Sequence, residues 1–184
     1  MVEFKRCNVS QVALMKMTQH AVSGGSIEVM GILIGGADEA SGDIYVKDSF
    51  SLPVKGTETR VNAHEGSYEY MCKYMSRYSS SSDPVAAVGW YHSHPGYGCW
   101  LSAIDIQTQQ MNQQFQDPWV AIVIDPKNTM AQENVDVGAF RTDETPERYH
   151  SLQVVVQDQC PFLNQLLALQ TERTSMNQAM FPHN

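Results

Sequence analysis

The chain has 184 residues, of which 42% are hydrophobic and 17% are charged, and its formal net charge at pH 7 is −8. This apolar fraction is enough for the core of one ordinary domain, which excludes a wholly disordered chain. The acidic balance argues against a partner such as nucleic acid, whose phosphates attract basic proteins. The apolar runs of the sequence, such as residues 29–34, are far shorter than the roughly 20 residues of a membrane span. The N-terminus also lacks the apolar segment of a signal peptide, so we expect an intracellular protein with no membrane partner.

The first part of the chain predicts a helix followed by a β-hairpin. Ser10 is a typical N-cap residue, apolar residues follow it at mostly helical spacing, and the glycines at positions 24 and 25 end the helix. Residues 27–35 then predict a buried strand, in which Glu28 is the one charged residue. Residues 44–52 predict the second strand of the hairpin, after a polar turn.

The middle of the chain predicts a loop, two helices and a strand. Residues 53–62 are polar and lack a clear period, so we expect a loop, whereas residues 63–78 carry one apolar stripe at helical spacing. Residues 85–94 begin as a core strand and end with polar residues at alternate positions. A further helix is predicted to begin after Ser102, because an acid follows this serine three positions later, as in a capping box. We expect this helix to end near residue 116.

The remaining segments complete a fold of the α+β class. Residues 119–124, 135–140 and 152–156 predict three strands, and residues 160–173 predict a C-terminal helix. Strands and helices intermix without strict alternation. This order favours an α+β fold with a mixed sheet over a doubly wound parallel sheet.

Several familiar active-site motifs are missing from the sequence. There is no G-x-x-x-x-G-K-[ST] phosphate-binding loop, no G-x-S-x-G nucleophile motif and no C-x-x-C pair. His64 and Glu65 begin an H-E-x-x-H pattern, but Tyr68 stands where the second histidine would be. These absences argue against a P-loop nucleotide-binding site, a hydrolase with a G-x-S-x-G serine nucleophile, a zinc ribbon and an H-E-x-x-H zinc site.

One segment, residues 89–105, carries a candidate set of metal ligands. His92 and His94 are two residues apart at a strand end, so their side chains share one face of the sheet. Asp105 follows in the first turn of a helix, after a loop long enough to fold back. Two imidazoles and a carboxylate suit Zn²⁺, and three protein ligands leave a fourth position open, as in catalytic sites. The alternative is a pair of hydrogen-bonded histidines beside a helix-capping aspartate.

Two further residues are candidates for catalysis. A carboxylate in an apolar strand is costly without a partner, so Glu28 could serve as a general base toward water and then as an acid toward a leaving amine. The alternative is an outward-facing residue of a half-exposed strand. The Ser102 hydroxyl could cap its helix, donate to an oxyanion, or do both.

Together these residues resemble the JAMM motif of the MPN+ metalloproteases, the matching positions being Glu28, His92-Ser93-His94-Pro95, Ser102 and Asp105. That family cleaves isopeptide bonds between the C-terminal glycine of a ubiquitin-like protein and a substrate lysine. By this resemblance, the two histidines and Asp105 bind one zinc ion per chain, Glu28 is the acid and base, and Ser102 stabilises the oxyanion. The implied fold is a curved mixed β-sheet flanked by helices, with a cytidine-deaminase-like architecture.

The similarity runs over residues 4–142, about three-quarters of the chain. The proteins that this stretch resembles form a branch of the family that removes a ubiquitin-like modifier from cullins within a large assembly. The implied partners are other subunits of that assembly, especially another MPN-domain subunit, and modified cullins, in the cytoplasm and the nucleus. Two alternatives stay open, namely a deubiquitinase like that of the proteasome lid and a non-catalytic MPN scaffold. A scaffold would be expected to lose metal ligands, and all three are present here.

The resemblance also predicts the organisation of the chain and a means of regulation. We expect residues 1–157 to form the catalytic domain and residues 158–184 to form a C-terminal helix and tail that are truncated or divergent, since the resemblance is weak after Thr142. In the resembled branch the loop of residues 53–62 is an insertion beside the active site. Arg60 in this loop is a planar cation suited to a carboxylate. We expect it to reach Asp105 and to hold the isolated chain in a poorly active state, the alternative being a solvent-exposed arginine.

Overall fold

The computed structural model describes residues 3–52, 86–132, 134–145 and 147–157. Within these ranges the strands are β1 (Arg6–Ser10), β2 (Met30–Asp38), β3 (Asp43–Ser51), β4 (Ala86–Ser93), β5 (Val120–Asp125), β6 (Asp136–Thr142) and β7 (Tyr149–Gln157). The helices are α1 (Gln11–Gly24), α2 (Ala103–Phe115) and α3 (Pro126–Gln132). None of these helices combines the length and the apolar character that crossing a membrane requires.

The described strands form one mixed sheet that closes into a barrel in the order β1-β3-β2-β4-β5-β6-β7. Strand β1 runs parallel to both of its neighbours, and β4 runs parallel to β5. The other pairs are antiparallel, including the β2–β3 hairpin. This arrangement confirms the predicted α+β fold with a curved mixed sheet. The curvature continues until the sheet closes, which leaves no described strand with a free edge.

The core has two apolar clusters, one on each face of the sheet. Strand β5 is buried along its whole length, because alternate residues enter different clusters. Val120 and Ile122 pack in the cluster that α1 covers, whereas Ala121 and Val123 pack in the cluster that includes Ile106 of α2. A parallel strand covered on both faces is typically a continuous apolar run. Its carboxyl end, beside that of β4, is where the candidate ligands lie.

Most of the predicted elements within the described residues are confirmed, with small shifts at their ends. Helix α1 begins after Ser10, whose side chain accepts a hydrogen bond from the Ala13 amide, and α2 begins after Ser102. Strand β2 begins at Met30, so the prediction that Glu28 lies inside this strand is wrong. Glu28 lies before the strand because the next residue, Val29, forms hydrogen bonds with Ser93 at the end of β4 instead of pairing within the sheet.

Two elements were not predicted. Strand β1 is short and pairs only with strands far along the chain, so its sequence carries little local signal. Helix α3 begins at Pro126, which the sequence indicated only as the end of a strand. Proline is nevertheless favoured in the first turn of a helix, and the preceding Asp125 accepts hydrogen bonds from the helix amides. The predicted loop 53–62, the helices 63–78 and 160–173, and the C-terminal region 158–184 lie outside the described residues.

Candidate metal centre

The candidate ligands meet where the carboxyl end of β4 faces the beginning of α2. His92 is the second-last residue of β4 and pairs with Met30 of β2 and Val123 of β5. His94 follows the strand, and its amide donates to the Ile124 carbonyl with an N···O distance of 2.9 Å. The two histidines are 2% and 3% exposed, so both rings are placed by the packed sheet.

Asp105 is oriented by the N-terminus of α2. Its Oδ2 accepts a hydrogen bond from the Ser102 amide at 2.8 Å, and the Ser102 Oγ accepts one from the Asp105 amide at 3.3 Å. This reciprocal pair is a capping box. It explains why serine and aspartate stand three residues apart, and it holds the carboxylate at a helix end that favours negative charge.

Three side-chain atoms form a compact triangle. The Nε2 atoms of His92 and His94 are 3.1 Å apart, and Asp105 Oδ2 lies 3.4 Å from the first and 3.7 Å from the second. Tetrahedral Zn²⁺ with bonds of about 2.0–2.1 Å separates its ligand atoms by roughly 3.3–3.4 Å. The triangle therefore has the dimensions of three corners of a zinc tetrahedron, and among the described residues these three form the group that could hold a metal ion.

The protonation of His94 also suits a metal. Its Nδ1 lies 3.2 Å from the carbonyl oxygen of Gly98. A carbonyl only accepts, so Nδ1 carries a proton, and in the neutral ring the lone pair of Nε2 points into the triangle. Such a hydrogen bond on the far side of the ring is the usual means of orienting a metal-binding histidine.

The electrostatics of the three groups favour a cation at the centre. Burial lowers the pKa of His92 and so favours the neutral imidazole, although the nearby carboxylate of Asp105 opposes this shift. Burial opposes the charged form of His94 as well, but the close carboxylate of Asp105 and the charge of Glu28 raise its pKa overall. Burial alone would raise the pKa of Asp105, yet its close polar contacts with both histidines hold it far below the usual range. The site thus stabilises a positive charge, either a proton on His94 or a bound metal ion, beside the ionised carboxylate of Asp105.

Glu28 lies beside this triangle although it is remote in sequence. The next residue, Val29, donates its amide to the Ser93 Oγ at 3.0 Å and accepts at its carbonyl from the Ser93 amide, also at 3.0 Å. Ser93 is fully buried between the two histidines. Burial raises the pKa of Glu28, the charge of Asp105 raises it further, and the charge of His94 lowers it. A carboxyl with a raised pKa is suited to accept and release a proton.

The structure brings five of the six predicted site residues into one region. They are Glu28, His92, His94, Ser102 and Asp105. The sixth, Arg60, lies outside the described residues, and its contact with Asp105 stays a prediction. Sequence reasoning named Ser93 as part of the motif but gave it no role of its own, and it interpreted Asp125 only as the end of a strand.

Comparison with known proteins places this sequence in a family. A family model described as JAB1/Mov34/MPN/PAD-1 ubiquitin protease matches residues 2–118, which include the three candidate ligands, Glu28 and Ser102. The COP9 signalosome complex subunit 5 of Kluyveromyces lactis is 59% identical over 140 residues, which are 76% of this chain and 36% of that protein. The Caenorhabditis elegans protein of the same name is 52% identical over 157 residues, 81% of this chain and 42% of that protein.

A third relative has a similar name and a similar identity to this chain. COP9 signalosome complex subunit 5a of Arabidopsis thaliana is 54% identical over 140 residues, 76% of this chain and 38% of that protein. The chain therefore spans less than half the length of each of these three relatives. The family match covers more than half of the chain, and the resemblance expected from Glu28, the histidine pair, Ser102 and Asp105 is confirmed at this level. The chain belongs to the JAB1/Mov34/MPN/PAD-1 ubiquitin protease family.

Proposed function

We propose that this chain is the catalytic domain of a zinc-dependent isopeptidase that removes a ubiquitin-like modifier from lysines of cullins, as the catalytic subunit of a COP9 signalosome. The observation that carries the proposal is the triangle of His92 Nε2, His94 Nε2 and Asp105 Oδ2, with edges of 3.1–3.7 Å. The relatives are COP9 signalosome subunits, which supports the choice of assembly and substrate.

Each residue of the site has one role in this reaction. His92, His94 and Asp105 would hold the zinc ion through the three atoms of the triangle. When bound, zinc supplies Lewis-acid activation of water and of the isopeptide carbonyl. Glu28 accepts the proton of the attacking water and delivers it to the leaving lysine amine. The Ser102 hydroxyl, which donates to no acceptor among the described residues, donates to the oxyanion of the carbonyl under attack.

The partners and the location follow from the same proposal. The chain works with the other subunits of the signalosome, among them a second MPN-domain subunit, and acts on cullins that carry the ubiquitin-like modifier (neddylated cullins). It acts in the cytoplasm and the nucleus. The net charge of −8 supports a role in which neither nucleic acid nor an anionic membrane surface is a partner.

Zinc content and hydrolysis test this proposal directly. We expect about one zinc ion per chain by elemental analysis, since a single set of three ligands is present among the described residues. We also expect cleavage of a lysine peptide joined by an isopeptide bond to the ubiquitin-like modifier, with activity lost to a chelator and restored by Zn²⁺. Faster cleavage of the matching ubiquitin conjugate would favour a deubiquitinase. A chain that holds no zinc and cleaves neither conjugate would be a non-catalytic scaffold.

Ser102 can be tested separately from helix capping, because the chain offers a second serine cap. Ser102→Ala and Ser10→Ala each remove an N-cap hydroxyl, and each should cost about 1 kcal/mol of stability. Only Ser102→Ala should also lower kcat, by about 10²–10³-fold, the usual cost of removing one oxyanion donor. Thermal unfolding and steady-state kinetics of both variants make the comparison. Equal kcat values in the two variants would leave Ser102 with capping alone.

A further inference from the structure

We propose that Asp125 is a positioning residue of the metal centre: its carboxylate fixes the loop of residues 95–98, and through this loop it fixes the ring of His94. The proposal rests on the proposed function, because it assigns a supporting role at the same site. Asp125 is the last residue of β5 and is fully buried, but it lies outside the ligand triangle. Its burial in ionised form therefore requires another explanation.

The carboxylate of Asp125 accepts four backbone hydrogen bonds. Its Oδ1 accepts from the amides of Gly96 at 2.9 Å, Lys127 at 2.9 Å and Asn128 at 3.1 Å, and its Oδ2 accepts from the Gly98 amide at 2.8 Å. Burial would raise the pKa of Asp125, but these hydrogen bonds outweigh burial and lower it. One side chain thus caps the start of α3 and binds the loop that follows His94.

The loop of residues 95–98 depends on Asp125 because its backbone has few hydrogen bonds of its own. Gly96 and Gly98 have φ angles of +92° and +80°, in the left-handed region that favours glycine. The one turn hydrogen bond described within the loop, from the Tyr97 amide to the His94 carbonyl, is long at 3.4 Å. The charged hydrogen bonds to Asp125 are shorter, so they are the stronger restraint on the loop.

Gly98 connects Asp125 to the metal ligand. Its amide donates to Asp125 Oδ2 at 2.8 Å, and its carbonyl accepts from His94 Nδ1 at 3.2 Å. The carboxylate therefore sets the position of the carbonyl that selects the Nδ1–H tautomer of His94. Loss of the contact between Asp125 and Gly98 should free the imidazole to rotate or change tautomer, and both changes weaken its Nε2 as a ligand.

Asp125→Asn is a selective probe, because it preserves shape but replaces one acceptor oxygen with an NH₂ donor. In either orientation of the amide, at least one backbone N–H that now donates to the carboxylate would face another donor. We expect zinc affinity, measured by competition with a chelator, to fall about 10–100-fold. We also expect ¹⁵N NMR of the zinc-free chain, above the imidazole pKa, to show His94 as the Nδ1–H tautomer in the wild type and as a mixture in Asp125→Asn.

Asp43→Asn is the matched control. Asp43 is also a buried carboxylate, and it accepts from Arg6 Nε and Nη2 at 2.6 and 2.8 Å. It lies at the turn of the β2–β3 hairpin, whereas the metal centre lies at the opposite end of β2. This variant should lose stability while it keeps the zinc affinity and the His94 tautomer of the wild type. Equal losses in both variants would overturn the proposal, since they would reflect general destabilisation.

The remaining outcomes are also decisive. Wild-type zinc affinity and an unchanged His94 tautomer in a folded Asp125→Asn chain would overturn the proposal while leaving the isopeptidase assignment intact. If that variant does not fold, Gly98→Ala takes its place: its Cβ would meet open space, but its φ of +80° would shift the loop. The zinc affinity and the His94 tautomer of Gly98→Ala then test the proposal in the same way. The tautomer is read without zinc or substrate, so it tests Asp125 even if the wild-type chain cleaves no conjugate.

Discussion

Under the proposed function, replacing His94 with alanine should remove zinc and isopeptidase activity together. The variant keeps only His92 and Asp105, and two ligands do not hold zinc tightly against dialysis. Elemental analysis should show about one zinc ion per wild-type chain and a small fraction of that in the variant, with hydrolysis reduced to background. We expect the fold to survive, because neither histidine belongs to the two apolar clusters of the core.

His150→Ala is the control for this experiment. His150 is an exposed residue of β7, and its Nδ1 lies 2.5 Å from Asp143 Oδ1, so it too is a histidine paired with an aspartate. It lies outside the ligand triangle, and its removal should leave zinc content and hydrolysis unchanged. Thermal unfolding of the zinc-free chains separates loss of the metal from loss of the fold. Equal zinc content in His94→Ala and the wild type would contradict the ligand assignment.

Glu28→Gln should separate proton transfer from metal binding. Glutamine preserves the size of the side chain but does not act as a base at neutral pH. Because Glu28 lies outside the ligand triangle, zinc content should stay at the wild-type level. We expect kcat to fall about 10²–10⁴-fold, the usual contribution of a general acid and base. Loss of zinc in this variant would instead make Glu28 a ligand.

The pH profile gives a second readout for Glu28. Burial raises its pKa, and a base acts only when ionised, so wild-type kcat should fall as the pH drops through a value above the ordinary glutamate pKa of about 4.3. This acidic limb should disappear in Glu28→Gln. Glu39→Gln, at an exposed glutamate in the β2–β3 turn, should keep both the limb and the wild-type rate. An unchanged kcat in Glu28→Gln would show that the carboxyl takes no part in the reaction.

Local chemistry was enough to predict much of this protein from its sequence. The cap at Ser102 and the acid three residues later predicted the start of α2, because a capping box joins residues only three positions apart. The alternation of His92 and His94 at a strand end predicted that their rings share a face. These signals have short range in the chain, and they were sufficient for a zinc-site hypothesis.

Contacts between distant residues were decided by the tertiary structure alone. Strand β1 pairs Cys7 with Ile44 on one side and with Val154 on the other, and no local pattern specifies a parallel partner so far along the chain. Glu28 reaches the site through the contact of Val29 with Ser93, which is 64 residues away. Likewise, the sequence showed Asp125 only as the end of a strand. Its carboxylate reaches the amide of Gly98 because β4 and β5 lie side by side in the closed sheet, so the loop after β4 returns over the end of β5.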